Sequence, residues 1–289
     1  MTADAALTEA SRGDDRAIGV FDSGVGGLTV LSELRRRLTA ESTTYLGDNG
    51  RAPYGPRPGD EVRAFTLACV DWLLDADVKL LVIACNTATA QALPLIRRRS
   101  PVPVVGVVRP GAVAAAAATR SGHVGVIATA GTVASRAYPA AIEEADPRVR
   151  VSQQAAADLV PLVEAGELGG PLADEAVRRY LDPLLAEDPR IDTLLLGCTH
   201  YPLLRPVIER RVGPDIAVVD SAFTTALAVE DLLDALGARA VDDGPRSNRI
   251  ATTGDLDAFT NVATRVFGAA LPSVEAATLP AEAASVQRG

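Results

Sequence analysis

The sequence has little from which to build a disulfide framework or a metal centre. Its three cysteines, Cys69, Cys85 and Cys198, cannot all pair, and no CxxC or HExxH pattern is present to hold a metal. Histidine occurs twice, as His123 and His200, and Cys198 with His200 supplies too few ligands for a metal site. No run approaches the roughly 18 uninterrupted apolar residues of a membrane span. The first fifteen residues, MTADAALTEASRGDD, are acidic and lack the apolar stretch of a secretory signal. These absences point to the cytoplasm, with free thiols and no membrane. Positive charge is also short: 28 Lys and Arg against 37 Asp and Glu leave a formal net charge of −9. That argues against a nucleic-acid partner, whose phosphates need clustered basic residues. A small anion held by local dipoles is still allowed. Lysine occurs once, as Lys79.

What is present is a chain able to bury a core: 48% of the 289 residues are hydrophobic and 22% charged. The length is large for one domain and comfortable for two, because single cores stop growing near ~250–300 residues. Short apolar runs at 17–21, 43–47, 79–84, 103–107, 123–128, 148–152, 192–197, 216–219 and 249–253 read as strands. Helix-like segments lie near 28–38, 59–76, 88–99, 109–119, 131–144, 171–187, 222–236 and 255–267. Continuous apolar strands alternating with helices predict an α/β protein, its mainly parallel sheets flanked by helices. The ends, 1–16 and 269–289, read as flexible tails.

The same plan runs twice. The strand Gly19-Val20-Phe21 ends in a turn of small residues beginning at Asp22. KLLVIA and Cys85-Asn86-Thr87 follow. Gly125-Val126-Ile127 ends in a similar turn beginning at Ala128, with DTLLLG and Cys198-Thr199-His200 beyond. The intervals, Asp22 to Cys85 and Ala128 to Cys198, are 63 and 70 residues. A duplication predicts two similar lobes with ligand groups facing across a cleft.

Cys85 and Cys198 each follow an apolar strand and precede polar residues that open a helix. In open α/β sheets ligands bind beyond the carboxyl ends of the strands, and a helix N-terminus lowers a thiol's pKa. Cys69, inside AFTLACVDWLL, reads as a small packing hydrophobe. Two thiols at matched strand ends suit inversion of a carbon centre, one removing a proton and the other returning it to the opposite face. A thiol hydrolase needs only one cysteine with a base. Lys79 opens the strand at the end opposite Cys85, which disfavours a pyridoxal Schiff base and leaves no cofactor expected.

Other motifs admit two readings. Asp22-Ser23-Gly24-Val25-Gly26-Gly27 lacks the GK[ST] of a P-loop and the spacing of GxGxxG. Its glycines let backbone approach a small ligand, and Asp22 meets an ammonium group, orients a base or simply caps the next helix. Pro53-Tyr54-Gly55 is either a nest for a carboxylate or a surface turn. Thr129 and Thr132 offer hydroxyls at a helix start, suited to an anion. Glu164 is a buried acid or a solvated helix end.

The stretches GVFDSGVGGLTVL (19–31), YLGDNGRAPYG (45–55), VIACNTATA (82–90) and LLLGCTHYPLL (194–204) resemble, in that order, the glutamate racemases of the aspartate/glutamate racemase superfamily. ATTGDLDAF (251–259) resembles their C-terminal region, so the likeness spans residues 17–268. It implies cofactor-independent interconversion of L- and D-glutamate for peptidoglycan, in two lobes related by a pseudo-twofold with the site between them. The implied lobes are 17–105 with 222–268, and 106–221, and the implied assembly is a homodimer. By matched position Cys85 acts on the α-proton of D-glutamate and Cys198 on that of L-glutamate. Asp22 and His200 assist them, and Glu164 is an acid of the catalytic environment. The implied substrate contacts are Asp22, Ser23, Pro53, Tyr54, Gly55, Asn86, Thr87, Thr199 and His200, with Thr129 and Thr132 near the α-carboxylate. Aspartate or another small acid is the alternative substrate, since one methylene discriminates modestly. The chain departs from many relatives at Ala156-Ala157, where they carry Cys-Pro, and in Arg51 and Arg109 beside the matching motifs. The chemistry is demanding, because an α-proton is a very weak acid and a thiolate of pKa about 8.5 a modest base. Donors at 86–87, 129–132 and 199–200 must stabilise the charge that develops.

Overall fold

In the computed structural model, which describes residues 13–241, 246–268, 271 and 273–279, the apolar runs become parallel strands in two sheets. The first holds β1 (Ile18–Asp22), β2 (Thr43–Gly47), β3 (Leu80–Ile83), β4 (Val104–Gly106), β9 (Asn248–Thr252) and β10 (Val274–Ala276), in the order β10-β9-β2-β1-β3-β4. The second holds β5 (His123–Ala128), β6 (Arg150–Ala155), β7 (Thr193–Gly197) and β8 (Ala217–Asp220), in the order β6-β5-β7-β8. Both sheets therefore share one plan: the second strand of the unit, then the first, third and fourth. Central β1, β3, β5 and β7 are buried along their whole length, as parallel strands covered on both faces must be. Edge strand β6, RVSQQA, is polar and partly exposed.

The helices are α1 (Leu28–Arg37), α2 (Gly59–Asp75), α3 (Asn86–Arg99), α4 (Val108–Ala118), α5 (Ala130–Ser135), α6 (Ala137–Ala145), α7 (Leu159–Glu164), α8 (Gly170–Glu187), α9 (Arg205–Val212), α10 (Ser221–Leu236) and α11 (Leu256–Phe267). They cover the sheets in layers set by strand alternation. Ile18 and Val20 pack with Leu34 and Val229 on one face, while Phe21 packs with Cys69 and Ile96 on the other. The second sheet is enclosed in the same way by two apolar layers. After β8, Asp220 accepts from the N–H groups of Ala222 and Phe223 and so caps α10. That helix packs on α1 and α4, carrying the chain back toward β9. No helix among the described residues is long and apolar enough to cross a membrane.

Three local expectations change. The helix expected over 131–144 is two helices, α5 and α6, broken where Arg136 adopts φ 55°. The stretch 269–289, read as a tail, contributes β10. This strand extends the sheet beside β9, and Arg249 pairs with Glu275 at 2.6 Å. Its composition carries no strand signal, because the pairing comes from an open sheet edge supplied elsewhere in the chain. Similarly, Asp14 within the expected N-terminal tail donates its N–H to Arg239 O. Residues 1–12 and 280–289 lie outside the described residues. Helix α7, which Glu164 ends, and α9, which begins seven residues after Cys198, fall outside the helix-like ranges expected from the sequence.

Lys79 forms a 2.6 Å ion pair with Glu41, both side chains 1% exposed, and donates to Ala238 O at 2.7 Å. It lies at the end of β3 remote from Cys85. Lys79→Met should destabilise the fold by about 3–5 kcal/mol, because Glu41 is left buried without its cation. Urea denaturation monitored by circular dichroism measures this loss.

Candidate active site

In each sheet the strand order reverses between the unit's first and third strands, and ligands bind beyond the carboxyl ends at such switch points. The residues there are Ser23 after β1, Cys85 after β3, Thr129 after β5 and Cys198 after β7. All four line one cavity of about 580 Å³. Asn86, Thr87, Thr199 and His200 join them from the same turns, Pro53, Tyr54 and Gly55 from the loop after β2, and Glu164 from the end of α7. Asp22 and Thr132, both fully buried, stand behind this lining.

Cys85 is the N-cap of α3, its sulfur accepting from Ala88 N–H at 3.4 Å and lying 3.4 Å from Ser23 Oγ. Burial, reinforced by the Asp22 carboxylate, pushes the thiol up to about 12 despite these bonds. The expected lowering by the helix N-terminus is therefore overturned: desolvation outweighs one amide and one hydroxyl. At neutral pH Cys85 carries its proton.

The opposite wall differs. Cys198 Sγ lies 3.9 Å from His200 Nδ1, and His200 Nε2 lies 3.1 Å from Glu164 Oε1. Burial alone depresses the imidazole, but the bonds to Cys198 and Glu164 outweigh it and raise His200 to about 10. The site thus sets a proton-loaded thiol against a thiol backed by an imidazolium. Glu164→Gln removes one of the two raising partners, so His200 should titrate below its wild-type value of about 10. With only two histidines in the chain, NMR titration of the imidazole resonances reads this directly.

Asp22 accepts from Gly24 N–H at 2.9 Å and Thr199 Oγ1 at 3.4 Å, and from Gly27 N–H. It thereby organises the start of α1 and also reaches the turn that carries Cys198. Burial raises its carboxyl, against the opposing pull of His200. Of the glycines of this turn, Gly24 lines the cavity, as the expected approach to a ligand requires, while Gly26 serves packing. A Cβ on Gly26 would fall 2.4 Å from His200 Nδ1 and 2.5 Å from Thr199 Oγ1. Gly26 therefore allows the Cys198-Thr199-His200 turn to close against the first sheet. Thr87, Thr129 and Thr132 form a hydroxyl cluster, with Thr129 Oγ1 2.9 Å from both Thr87 Oγ1 and Thr132 Oγ1.

Residues 18–230 match the Asp/Glu/Hydantoin racemase family. The chain belongs to that family. It is 46% identical over 253 residues to a glutamate racemase of Oceanobacillus iheyensis, covering 88% of this chain and 92% of the relative. Its fold is similar to the crystal structure of a Bacillus anthracis glutamate racemase, with TM-score 0.86 and 42% identity over 92% of this chain and 98% of the other. A Francisella tularensis glutamate racemase solved in complex with D-glutamate has TM-score 0.83 and 29% identity, with the same coverages.

Several departures from the family pattern now have positions. Ala157 lines the cavity, while Ala156 is buried and its carbonyl accepts from Tyr201 OH at 2.7 Å. Arg109 is exposed and pairs with Glu144. Arg51 points away from the cavity lining, bonding Asp48 at 2.8 Å and Cys69 Sγ at 3.3 Å and stacking over Phe65. Cys69 is a buried packing residue, as its sequence context indicates.

Asn49, which the sequence analysis does not single out, lines the cavity, as do Ala52, Pro56, Ala130, Val160 and Pro161. Asp48, fully buried, accepts from Tyr54 OH, from Arg51 Nε and from Thr253 Oγ1 at 2.6 Å. Tyr54 thus commits its hydroxyl to Asp48, which ties down the Pro53-Tyr54-Gly55 wall. Asp48 and Asn49 stand inside the YLGDNGRAPYG motif, in a polar loop with no periodicity to mark which side chains turn inward.

Proposed function

We propose that this chain interconverts L- and D-glutamate by two-cysteine proton transfer at the α-carbon, supplying D-glutamate for peptidoglycan. The observation that carries the reading is the placement of Cys85 and Cys198 after equivalent strands of two like-ordered sheets, both opening on one cavity. Starting from L-glutamate, the Cys198 thiolate, 3.9 Å from His200 Nδ1, takes the α-proton. The planar carbanion receives a proton from the Cys85 thiol on its other face, leaving D-glutamate, a Cys85 thiolate and a Cys198 thiol. D-glutamate runs the sequence in reverse. The negative charge that builds on the carboxylate is met by donors among Asn86, Thr87, Thr129 and Thr199. Asp22 and Glu164 act through charge on Cys85 and His200. The Francisella relative's complex with D-glutamate supports glutamate as the substrate. The chain acts in the cytoplasm as a homodimer, and sedimentation equilibrium tests the assembly.

In deuterated water, each enantiomer of glutamate should yield the other bearing deuterium at Cα. Folded, reduced protein that produces neither the opposite enantiomer nor labelled Cα would overturn the reading. Faster turnover of aspartate would replace the substrate.

A further inference from the structure

Asn86 follows Cys85 and lines the cavity, yet its side chain is only half committed. Tyr138 OH donates to Asn86 Oδ1 at 2.6 Å, while Asn86 Nδ2 is buried without a protein partner. Tyr138 itself is fully buried in α6. Ser221, the first residue of α10, faces this hydroxyl and opposes the rise that burial gives its pKa. The phenol donating to Asn86 Oδ1 holds the amide with its oxygen toward Tyr138. The free group is then N–H, a donor that suits a carboxylate oxygen and cannot serve an ammonium group. The ring of Tyr138 also packs under the other wall: a Cβ on Gly197, next to Cys198, would lie 2.8 Å from Tyr138 Cε2. One side chain therefore touches the residue beside each cysteine.

We propose that Tyr138 is a positioning residue that fixes the Asn86 amide, presenting Nδ2 to a carboxylate of the substrate. The inference rests on the proposed racemisation. Without the phenol hydroxyl the amide can turn, and an oxygen facing a carboxylate repels it. Ser221, Tyr138 and Asn86 form one relay, running from α10 through the second sheet's helix layer to the first sheet's cysteine turn.

The test is a double-mutant cycle. Tyr138→Phe should raise KM for both glutamate enantiomers about tenfold, the size of one lost hydrogen bond to a charged group. In an Asn86→Ala background the same change should leave KM unaltered, because the amide it positions is gone. An equal rise in both backgrounds, or none in either, overturns the proposal. If Tyr138→Phe does not fold, Ser221→Ala takes its place, with an expected rise of about threefold and an unchanged KM as the refuting result. Wild-type protein run alongside separates this from the function itself. Should the wild type not racemise, the activity reading falls, and calorimetric glutamate affinity of the same variants reads the positioning role.

Discussion

Cys85→Ala and Cys198→Ala are each expected to lower racemisation by about 10²- to 10⁴-fold, the scale of a lost general acid or base. The loss should be identical whichever enantiomer is supplied. L- and D-glutamate are mirror images, so their equilibrium constant is one, and kcat/KM must match in the two directions for any variant. The different surroundings of the thiols can therefore show only in kcat and KM taken separately. A polarimetric assay from both enantiomers checks both points. Full activity in either variant would refute the two-base assignment, and unequal kcat/KM values would show that the reaction measured is not a simple racemisation.

Gly26→Ala should lower kcat/KM by about a hundredfold, comparable to a misplacement of about 1 Å at a reacting group, although no reacting atom is removed. The backbone there tolerates alanine, since Gly26 is not among the positive-φ residues. The obstacle is contact: the new methyl would fall 2.4 Å from His200 and 2.5 Å from Thr199, so the turn bearing Cys198 must move. Gly169→Ala is the matched control, because a Cβ there meets nothing within 4 Å. A Gly26→Ala protein with unchanged kcat/KM would mean that this turn has slack and that Cys198 placement does not depend on it. Thermal unfolding run in parallel separates displacement of the turn from loss of the fold.

Much of the candidate site was legible because its chemistry sits in short contiguous stretches. Cys85-Asn86-Thr87 and Cys198-Thr199-His200 each follow a buried strand, and such strands are recognisable from continuous apolar runs. Asn49 and Asp48 lie in YLGDNGRAPYG without standing out, because a polar loop gives no sign of which side chains turn inward. Tyr138 stands six residues after Thr132 with no polar neighbour to single it out, and its hydroxyl matters only because folding brings it 2.6 Å from Asn86, 52 residues away. Strand β10 was hidden for a related reason: a three-residue edge strand is stabilised by the strand it joins more than by its own residues.

By itself the sequence determined the class of the fold, the doubled plan and the identity of the two thiols, since each is written in local periodicity and local order. Scarcity of cysteine and lysine narrowed the chemistry further, leaving two thiols as the proposed acid–base pair and the only lysine at the end of its strand remote from Cys85. The protonation states were decided by the tertiary structure. A helix N-terminus beside Cys85 argued for a lowered pKa, but burial and the Asp22 carboxylate reverse it. Cys198 and then Glu164, from a separate helix, raise His200 against its burial. Dielectric surroundings and charge–charge distances are properties of the packed chain, and no local stretch of sequence contains them.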